Sequence, residues 1–260
     1  MTERFGASMD LRFDCSFEEF VAFLDERDLS HVELRQGYLD TYPDAPAPEH
    51  VRDVSEEYDV TVSYHAPHRD CNLASANETL RAGAVEAVKQ SIRTAETAGA
   101  NAVVVHGGTF RSHYPERVRD ANRDAAVRSL RECARLADDV GIPLCVENQR
   151  DKDQKKRFTA RPERFAALLD DVAAGAPRPS VTLDVGHAKA TGVSLADLLD
   201  AVGDDVVVAH LHDNDGTTDS HDPLPDFRTI AADLDAAYNV LEMKSLADID
   251  HCLAVPEDRL

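Results

Sequence analysis

Hydrophobic residues along the chain fall into two alternating kinds of segment, short β-rich runs and longer stretches with helical periodicity. The short runs are rich in Val, Ile, Leu and Tyr, which is typical of buried strands. We predict eight strands, at Arg4–Ser8, His31–Arg35, Val60–His65, Asn101–His106, Ile142–Glu147, Ser180–Asp184, Val206–Leu211 and Tyr238–Met243. The longer stretches are rich in Ala, Leu, Arg and Asp and predict helices, for example at Ala76–Ala98 and Glu116–Val140.

Several helix ends carry recognisable signals. Ser16 followed by Glu19 predicts a capping box at the start of one helix, and Gly99 and Gly141 predict the ends of two others. The proline-rich segment 41–49 is predicted to be a loop that leads into a helix. A short final helix is predicted from Ser245 onward.

The regular order of strand and helix determines the expected fold. Strands that alternate with helices form parallel sheets, and eight strands in 260 residues favour a closed barrel over an open sheet. A (β/α)8 barrel, or TIM barrel, typically takes about 250 residues. We therefore predict an α/β fold with one TIM-barrel domain that spans residues 1–260.

Charge is the strongest compositional signal. The chain has 49 acidic and 28 basic residues, which gives a net charge of −21. Such self-repulsion destabilises a folded protein unless salt screens it, so we expect a halophilic source. An acidic surface also argues against a nucleic-acid partner, although this argument weakens if acidity is an adaptation of the whole proteome.

The expected cellular location and the expected state of the cysteines are predicted from features that are absent from the sequence. The chain contains no apolar run of the roughly 18 residues that a membrane span needs, and its start, MTERFGASMD, has no apolar signal segment. We expect a cytoplasmic protein without membrane association. The five cysteines are scattered and show no CxxC spacing, which argues against both disulfides and a thiolate zinc site.

Ionisable residues recur at the carboxyl ends of the predicted strands. Seven consecutive strands have such residues at or near their ends: Glu33, His65, His106, Glu147, Asp184 with His187, His210 with His212, and Glu242. Their spacing of 26 to 41 residues corresponds to one βα unit each. Because the carboxyl ends of all strands in a TIM barrel meet at the face where active sites lie, we expect these side chains to converge.

The residue types at this face indicate a metal site. A buried carboxylate without a partner is costly, and seven strand ends carrying His, Asp or Glu are difficult to accommodate without a cation among them. Mixed imidazole and carboxylate ligands suit Zn, Mn, Fe or Co better than Ca. The expected cofactor is one to three divalent metal ions, of Mn, Zn, Co or Mg.

Short motifs at these strand ends resemble those of a known superfamily. VSYHAP, VVVHGG, VEN, LDVGHA, HLHDN with a following Asp-x-His, and LEM occur in order between about residues 5 and 245. In this combination the chain resembles the xylose isomerase-like TIM barrels. That superfamily includes sugar and sugar phosphate isomerases and epimerases, as well as DNA-repair nucleases of the endonuclease IV type.

The resemblance implies two overlapping ligand sets. Sugar isomerases and epimerases of the superfamily bind one metal through four residues, which match Glu147, Asp184, His210 and Glu242 here. The endonuclease IV type holds a three-zinc cluster with further ligands, which match His65, His106, His187, Asp219 and His221. All nine positions have the expected residue type.

Residues beside these ligands are expected to support them or to contact substrate. His210 and His212 share a face because side chains alternate along a strand, and motif position assigns the metal to His210. His212 is then expected to orient a ligand or to contact substrate, as is Glu33. His65 and His106 are either metal ligands or substrate contacts.

The favoured hypothesis is a sugar isomerase or epimerase. A metal at the four-residue site would bind a ketose carbonyl and its neighbouring hydroxyl as a Lewis acid, which acidifies the adjacent carbon. The resemblance implies that Glu147 and Glu242 remove and return the proton through an enediolate, with His187 assisting. One feature departs from some epimerases, because no substrate-binding arginine follows the histidine of strand seven in the segment DNDGTTD.

The alternative hypothesis is a zinc phosphoesterase of the endonuclease IV type that acts on abasic DNA. The full set of ligand-type residues supports it, whereas the absence of Trp, the net charge of −21 and the lack of a basic stripe count against it. A barrel that only binds a ligand is a third hypothesis. The expected partner is a small sugar or sugar phosphate, and the superfamily suggests a homodimer.

A basic run, RDKDQKKR at Arg150–Arg157, follows Glu147 and holds three of the six lysines. Such runs are usually solvated loops. In so acidic a protein, a basic patch beside a metal would bind a phosphate group. We therefore predict Lys155, Lys156 and Arg157 as substrate contacts.

Overall fold

Eight parallel strands close into a barrel in the computed structural model, which describes residues 3–254. The elements in chain order are β1 (Arg4–Met9), α1 (Phe17–Asp25), β2 (His31–Arg35), α2 (Gln36–Thr41), α3 (Pro48–Tyr58), β3 (Thr61–His65), α4 (Glu78–Thr97), β4 (Ala102–His106), β5 (Thr109–Arg111), α5 (Glu116–Asp139), β6 (Leu144–Glu147), β7 (Lys155–Arg157), α6 (Pro162–Ala173), β8 (Ser180–Asp184), α7 (Val185–Thr191), α8 (Leu195–Val202), β9 (Val206–Leu211), α9 (Phe227–Leu234), β10 (Tyr238–Leu241) and α10 (Leu246–Leu253). Around the barrel the strands follow the order β1, β2, β3, β4, β6, β8, β9 and β10, which pairs again with β1. The predicted TIM barrel is confirmed.

The predicted strands are all present, and their bounds differ by at most two residues at either end. The start of β6 shows the cause. The strand begins at Leu144 instead of Ile142, because Ile142 donates its backbone N–H to Ala137 of the preceding helix. Pro143 has no N–H to donate to a neighbouring strand.

The predicted helix signals also hold. Ser16 accepts from the backbone N–H of Glu19 at 3.2 Å, and the Glu19 carboxylate accepts from the backbone N–H of Ser16 at 2.8 Å, which completes the capping box of α1. Gly99 and Gly141 follow α4 and α5 with φ of +69° and +73°, in the left-handed region that ends a helix. Ser245 caps α10.

A two-stranded antiparallel sheet outside the barrel was not predicted. Strand β5 pairs with β7, so that Arg111 lies opposite Lys155 and Thr109 opposite Arg157. The end of the basic run is therefore a strand, not a free loop. The rings of Phe110 and Phe158 pack at 4.9 Å between centroids and anchor this sheet.

The barrel interior consists of an apolar layer with the ionisable residues stacked directly on it. Val104, Cys145, Val208 and Val240 belong to a small buried cluster inside the barrel. Two residues later come His106, Glu147 and His210 on the same strands, and Glu242 directly after β10. Because side chains two apart on a strand share a face, the strands that pack the barrel also direct these four side chains inward at its carboxyl end.

Two further expectations concern the cysteines and membrane-spanning helices. All five cysteines are free thiols, as the absence of paired spacing predicted. Within residues 3–254, no helix combines the length and the apolar composition that crossing a lipid bilayer requires.

Candidate metal centre

A cavity of about 610 Å³ opens at the carboxyl ends of the strands. Six of the predicted ligand-type residues line it: His106, Glu147, His187, Asp219, His221 and Glu242. The remaining predicted ligand-type residues are almost fully buried behind them: Glu33, His65, Asp184, His210 and His212. The structure therefore brings the strand-end residues together at one face, as the spacing predicted.

Glu147 lies at the centre of one half of the cluster. Its Oε1 is 2.9 Å from His187 Nδ1, and its Oε2 is 2.8 Å from His106 Nε2 and 3.4 Å from His65 Nε2. His187 also lies 3.0 Å from Asp184 Oδ2 through the same nitrogen. Three imidazoles and two carboxylates thus share one small volume.

Glu242 and His210 form the other half. The Nδ1 of His210 is 3.4 Å from Glu242 Oε1 and 3.9 Å from Asp184 Oδ2, while its Nε2 is 3.1 Å from Glu33 Oε2. Glu33 thus orients the His210 ring from behind, and Ser63 donates to the same Glu33 oxygen at 3.3 Å. Of the two roles expected for Glu33, orienting a ligand or contacting substrate, this contact fits the first.

His212, Asp219 and His221 close the site from the loop after β9. The His212 Nε2 lies 3.1 Å from Asp184 Oδ1, and its ring stacks on that of His221 at 4.0 Å between centroids. Asp219 reaches His187 Nε2 at 3.4 Å. His221 has φ of +53°, a left-handed conformation that is costly outside glycine, and its Nδ1 contacts the backbone oxygen of Glu242 at 2.8 Å. The loop is therefore held in the site.

The pKa shifts of Glu147 and His210 indicate that the cluster favours positive charge. Burial raises the pKa of the Glu147 carboxyl, but the facing His106 and its other imidazole neighbours lower it more, so that it lies well below its usual value. Burial lowers the pKa of His210, yet Glu242 and Glu33 raise it to about 10. The carboxylates around His210 thus favour a positive charge at this position, which a bound cation would also supply.

Several buried atoms at this site have no hydrogen-bond partner within residues 3–254. They are Glu33 Oε1, His210 Nδ1, Asp219 Oδ1 and Glu242 Oε1, and Glu147 Oε2 also forms no hydrogen bond although His106 Nε2 lies 2.8 Å from it. The His210 and Glu242 atoms face each other at 3.4 Å, and neither forms a hydrogen bond. Such unpaired buried atoms are costly unless a further group binds them. Nitrogen and carboxylate oxygen donors of this kind fit a divalent metal such as Zn or Mn.

Groups of ligand atoms that lie within 4.8 Å of one another show how a metal would be held. Two of these groups share Asp184, one with Glu147 and His210 and the other with His212 and Glu242. His212, which was predicted to play a supporting role, thus has the geometry of a ligand as well. Two further groups contain the additional histidines, one with Asp219 and His221 around His212, the other with His106 and His68 around His65.

The sequence reasoning missed several residues of the cavity, among them Arg35, His68 and Asp10. Arg35 lies 3.4 Å from Glu242 Oε1 and 3.7 Å from Asp10 Oδ2. Arg35 shares the inward face of β2 with Glu33, two residues earlier, so strand alternation could have identified it. His68, three residues beyond His65 in the motif HAPH, packs at 4.7 Å from the His106 ring. Asp10 follows β1 directly.

The predicted basic contacts separate into two groups. Lys155 and Arg157 line the cavity, together with Arg150 and Lys152. Lys156 is not among the residues that line it, and its Nζ lies 3.5 Å from Asp151 Oδ2. Alternation along β7 explains the difference, because adjacent side chains of a strand point to opposite faces.

Comparison with known proteins supports the superfamily. The family model described as the xylose isomerase-like TIM barrel matches residues 20–242. The chain belongs to this family. Two uncharacterized proteins of Methanocaldococcus jannaschii are similar to this xylose isomerase-like barrel. One is 29% identical over 177 residues, or 66% of this chain and 58% of the relative, and the other is 24% identical over 259 residues, or 95% of each.

Solved structures share the same barrel. A D-tagatose 3-epimerase-like protein has a TM-score of 0.78 at 22% identity and covers 96% of this chain and 94% of its own. An L-ribulose 3-epimerase has a TM-score of 0.76 at 16% identity, covering 98% and 87%. The 3-keto-D-glucoside 4-epimerase of E. coli has a TM-score of 0.75 at 16% identity, covering 96% of each. At these identities the likeness establishes the fold of this xylose isomerase-like barrel, and its chemistry is a separate question.

Proposed function

We propose that the chain is a divalent-metal-dependent isomerase or epimerase of a sugar or sugar phosphate. The observation that carries this proposal is the placement of Glu147 and Glu242 on the wall of one polar cavity. Both side chains are only 2% exposed, and each has an oxygen without a hydrogen-bond partner among the described residues. The similar solved structures are sugar epimerases, which supports the same class of chemistry.

Two carboxylates can perform the proton transfers that this reaction needs. A metal held by Glu147, Asp184, His210 and Glu242 would supply Lewis-acid polarisation of a substrate carbonyl. Glu147 is then placed to accept the proton from the carbon beside the carbonyl, and Glu242 to hold or return one on another side of the site. Strands β6 and β10 are separated around the barrel by β8 and β9, so the two carboxylates approach the cavity from different directions.

Neighbouring residues keep both carboxylates ionised, which is the form that a proton acceptor must have. Burial raises the pKa of Glu242, but Arg35 and His210 lower it to about 2. His187 contacts Glu147, Asp184 and Asp219, and this position suits a group that assists Glu147.

Metal removal and reconstitution test the proposal. The purified protein would be treated with EDTA and supplied with Mn²⁺, Co²⁺, Zn²⁺ or Mg²⁺, and the conversion of ketoses and ketose phosphates to their epimers or isomers would be followed by chromatography. We expect the conversion to disappear with EDTA and to return when metal is added. Glu147→Gln and Glu242→Gln should abolish the conversion, whereas Glu57→Gln, at an exposed position, should leave it intact. No conversion of any sugar in the panel under any metal would refute the proposal.

A second candidate function is a phosphoesterase that acts on abasic DNA. The observation that favours it is the presence of further ligand groups around His65 and His212, which would allow more than one metal ion. The net charge of −21 opposes binding of a DNA duplex. Cleavage of an abasic-site duplex by the zinc-loaded protein, together with no sugar conversion, would favour this candidate.

A further inference from the structure

Four cationic side chains form one wall of the cavity that also contains the candidate metal centre. Arg150, Lys152, Lys155 and Arg157, here called the basic wall, all line this cavity. A hydrogen bond and a strand pairing position three of the four. Arg150 donates to the backbone oxygen of Thr217 at 2.7 Å, and the β5–β7 pairing fixes Lys155 and Arg157.

The basic wall lies in a chain where acidic residues outnumber basic ones by 49 to 28. Among the described residues, no carboxylate oxygen lies within 4 Å of a charged nitrogen of these four side chains, whereas Arg12 and Arg35 in the same cavity both pair with Asp10. Asp151, the nearest acid in sequence to Arg150 and Lys152, is engaged elsewhere. Its Oδ1 accepts from the backbone of Arg157 at 3.1 Å, and its Oδ2 lies nearest Lys156.

Buried donors of the wall are also unused. The Nε of Arg150 and the Nε and Nη1 of Arg157 are buried without a hydrogen-bond partner among residues 3–254. Burial and the neighbouring arginines lower the pKa of Lys152, and burial, Arg157 and Lys152 lower that of Lys155. Cations that are crowded together in this way destabilise one another, and a bound anion removes both the repulsion and the unpaired donors.

The charge and geometry of the wall distinguish between possible anions. A carboxylate carries one negative charge and two acceptor oxygens, whereas a phosphate monoester carries about −1.5 to −2 charges and three oxygens at pH 7. Four cations with free guanidinium donors match the phosphate better, since arginine pairs with phosphate through two parallel hydrogen bonds. The cavity of about 610 Å³ is large enough for one small molecule to reach both the wall and the metal centre.

We propose that the basic wall is the subsite for a phosphate group on the substrate, so that the natural substrate is a phosphorylated sugar whose carbonyl end reaches the metal centre. That a sugar carbonyl binds at the metal centre rests on the proposed function. The phosphate subsite depends only on the residues of the basic wall.

Binding of an unreactive polyol phosphate tests this subsite without requiring turnover. D-sorbitol 6-phosphate has no carbonyl, and its binding would be measured by calorimetry beside that of D-sorbitol and D-gluconate, with EDTA present so that no metal holds the phosphate. We expect D-sorbitol 6-phosphate to bind at least about tenfold more tightly than either of the others. Arg157→Gln and Lys155→Gln should each weaken it about fivefold to tenfold. Lys89→Gln, which removes the same charge at a lysine paired with Glu132, should not change it.

Three outcomes would overturn the inference. They are equal binding of sorbitol and its phosphate, gluconate binding as tightly as the phosphate, or unchanged phosphate binding in Lys155→Gln. Lys155 is exposed, so loss of folding would not explain an effect at that position. Failure of the proposed reaction would leave phosphate binding intact, whereas failure of the subsite would leave conversion of neutral sugars intact.

Discussion

At the scale of single residues, alternation along a strand accounts for both the successes and the omissions of the sequence analysis. His106, Glu147 and Glu242 were predictable because each stands at or directly after a strand end, and Glu33 because it stands two residues before the end of β2. Arg35 follows the same rule on β2 but was overlooked because a lone arginine is not a metal ligand. His68 was not predictable from a strand pattern, since it lies in the loop after β3, where no periodicity fixes the direction of a side chain.

Arg35 provides a prediction about stability. Its guanidinium, 3.4 Å from the buried Glu242 carboxylate, is the cation that offsets this charge in the metal-free protein. Arg35→Gln should lower the free energy of unfolding by about 3 kcal/mol in EDTA, because a buried charge then loses its partner. Urea denaturation would measure this loss.

The exposed pair of Arg4 and Asp59 provides the control for Arg35. Arg4→Gln removes an ion pair whose side chains are 30% and 91% exposed, and the expected loss is below about 1 kcal/mol. Equal losses in the two variants would show that Arg35 does not compensate the buried carboxylate.

At the scale of elements, the barrel strands and their helices were predictable, whereas the β5–β7 sheet was not. The barrel strands carry several apolar residues each. By contrast, β5 and β7 have only three residues each, and β7 consists of three basic residues. The two strands pair residues that are far apart in the sequence, such as Thr109 and Arg157. Only the folded barrel brings the two loops together. The β5–β7 pairing turns Lys155 and not Lys156 towards the cavity. The sequence RDKDQKKR alone does not show which of the two lysines faces it.

The contact between α7 and β9 provides a prediction about activity. Gly186 lies at the start of α7, and a Cβ atom there would be 2.0 Å from His212 Cε1. Gly186→Ala should displace His212 from Asp184 and lower kcat by about 100-fold, since a shift of about 1 Å at a catalytic site has such an effect. The conversion assay would measure kcat, and thermal unfolding would confirm that the variant folds.

Gly83→Ala is the matched control, because a Cβ at this exposed position of α4 meets no atom within 4 Å. It should keep full activity and gain about 0.5–1 kcal/mol of stability. Wild-type kcat in Gly186→Ala would show that the position of His212 does not matter for the reaction.

At the scale of the whole molecule, the main property is the net charge of −21. Its effect on the stability of the folded protein is a prediction. Ion pairs such as Arg123 with Asp171 and Arg178 with Asp170 and Asp205 lie at the surface, and the acidic excess leaves most carboxylates to repel one another. The halophilic source, the cytoplasmic location and the homodimer also remain expectations, because they concern the solvent, the cell compartment and a second chain.

Salt dependence of stability tests the halophilic expectation. Screening shortens the range of charge repulsion from about 10 Å at 0.1 M salt to about 3 Å at 1 M. The urea midpoint should therefore rise as KCl increases from about 0.1 to 1 M. A midpoint that falls with salt would show that attractive surface pairs, which salt weakens, outweigh the repulsion.

The central claim is that Glu147 and Glu242 transfer a proton at the carbon beside a substrate carbonyl. Solvent deuterium exchange tests it most directly, with Mn²⁺-loaded protein incubated in D₂O with ketoses, ketose phosphates and inososes and followed by proton NMR. We predict loss of the signal from the proton beside the carbonyl, abolished by Glu147→Gln and Glu242→Gln and retained by Glu57→Gln. No loss of that signal with any substrate, or exchange that persists in both Glu147→Gln and Glu242→Gln, would contradict it.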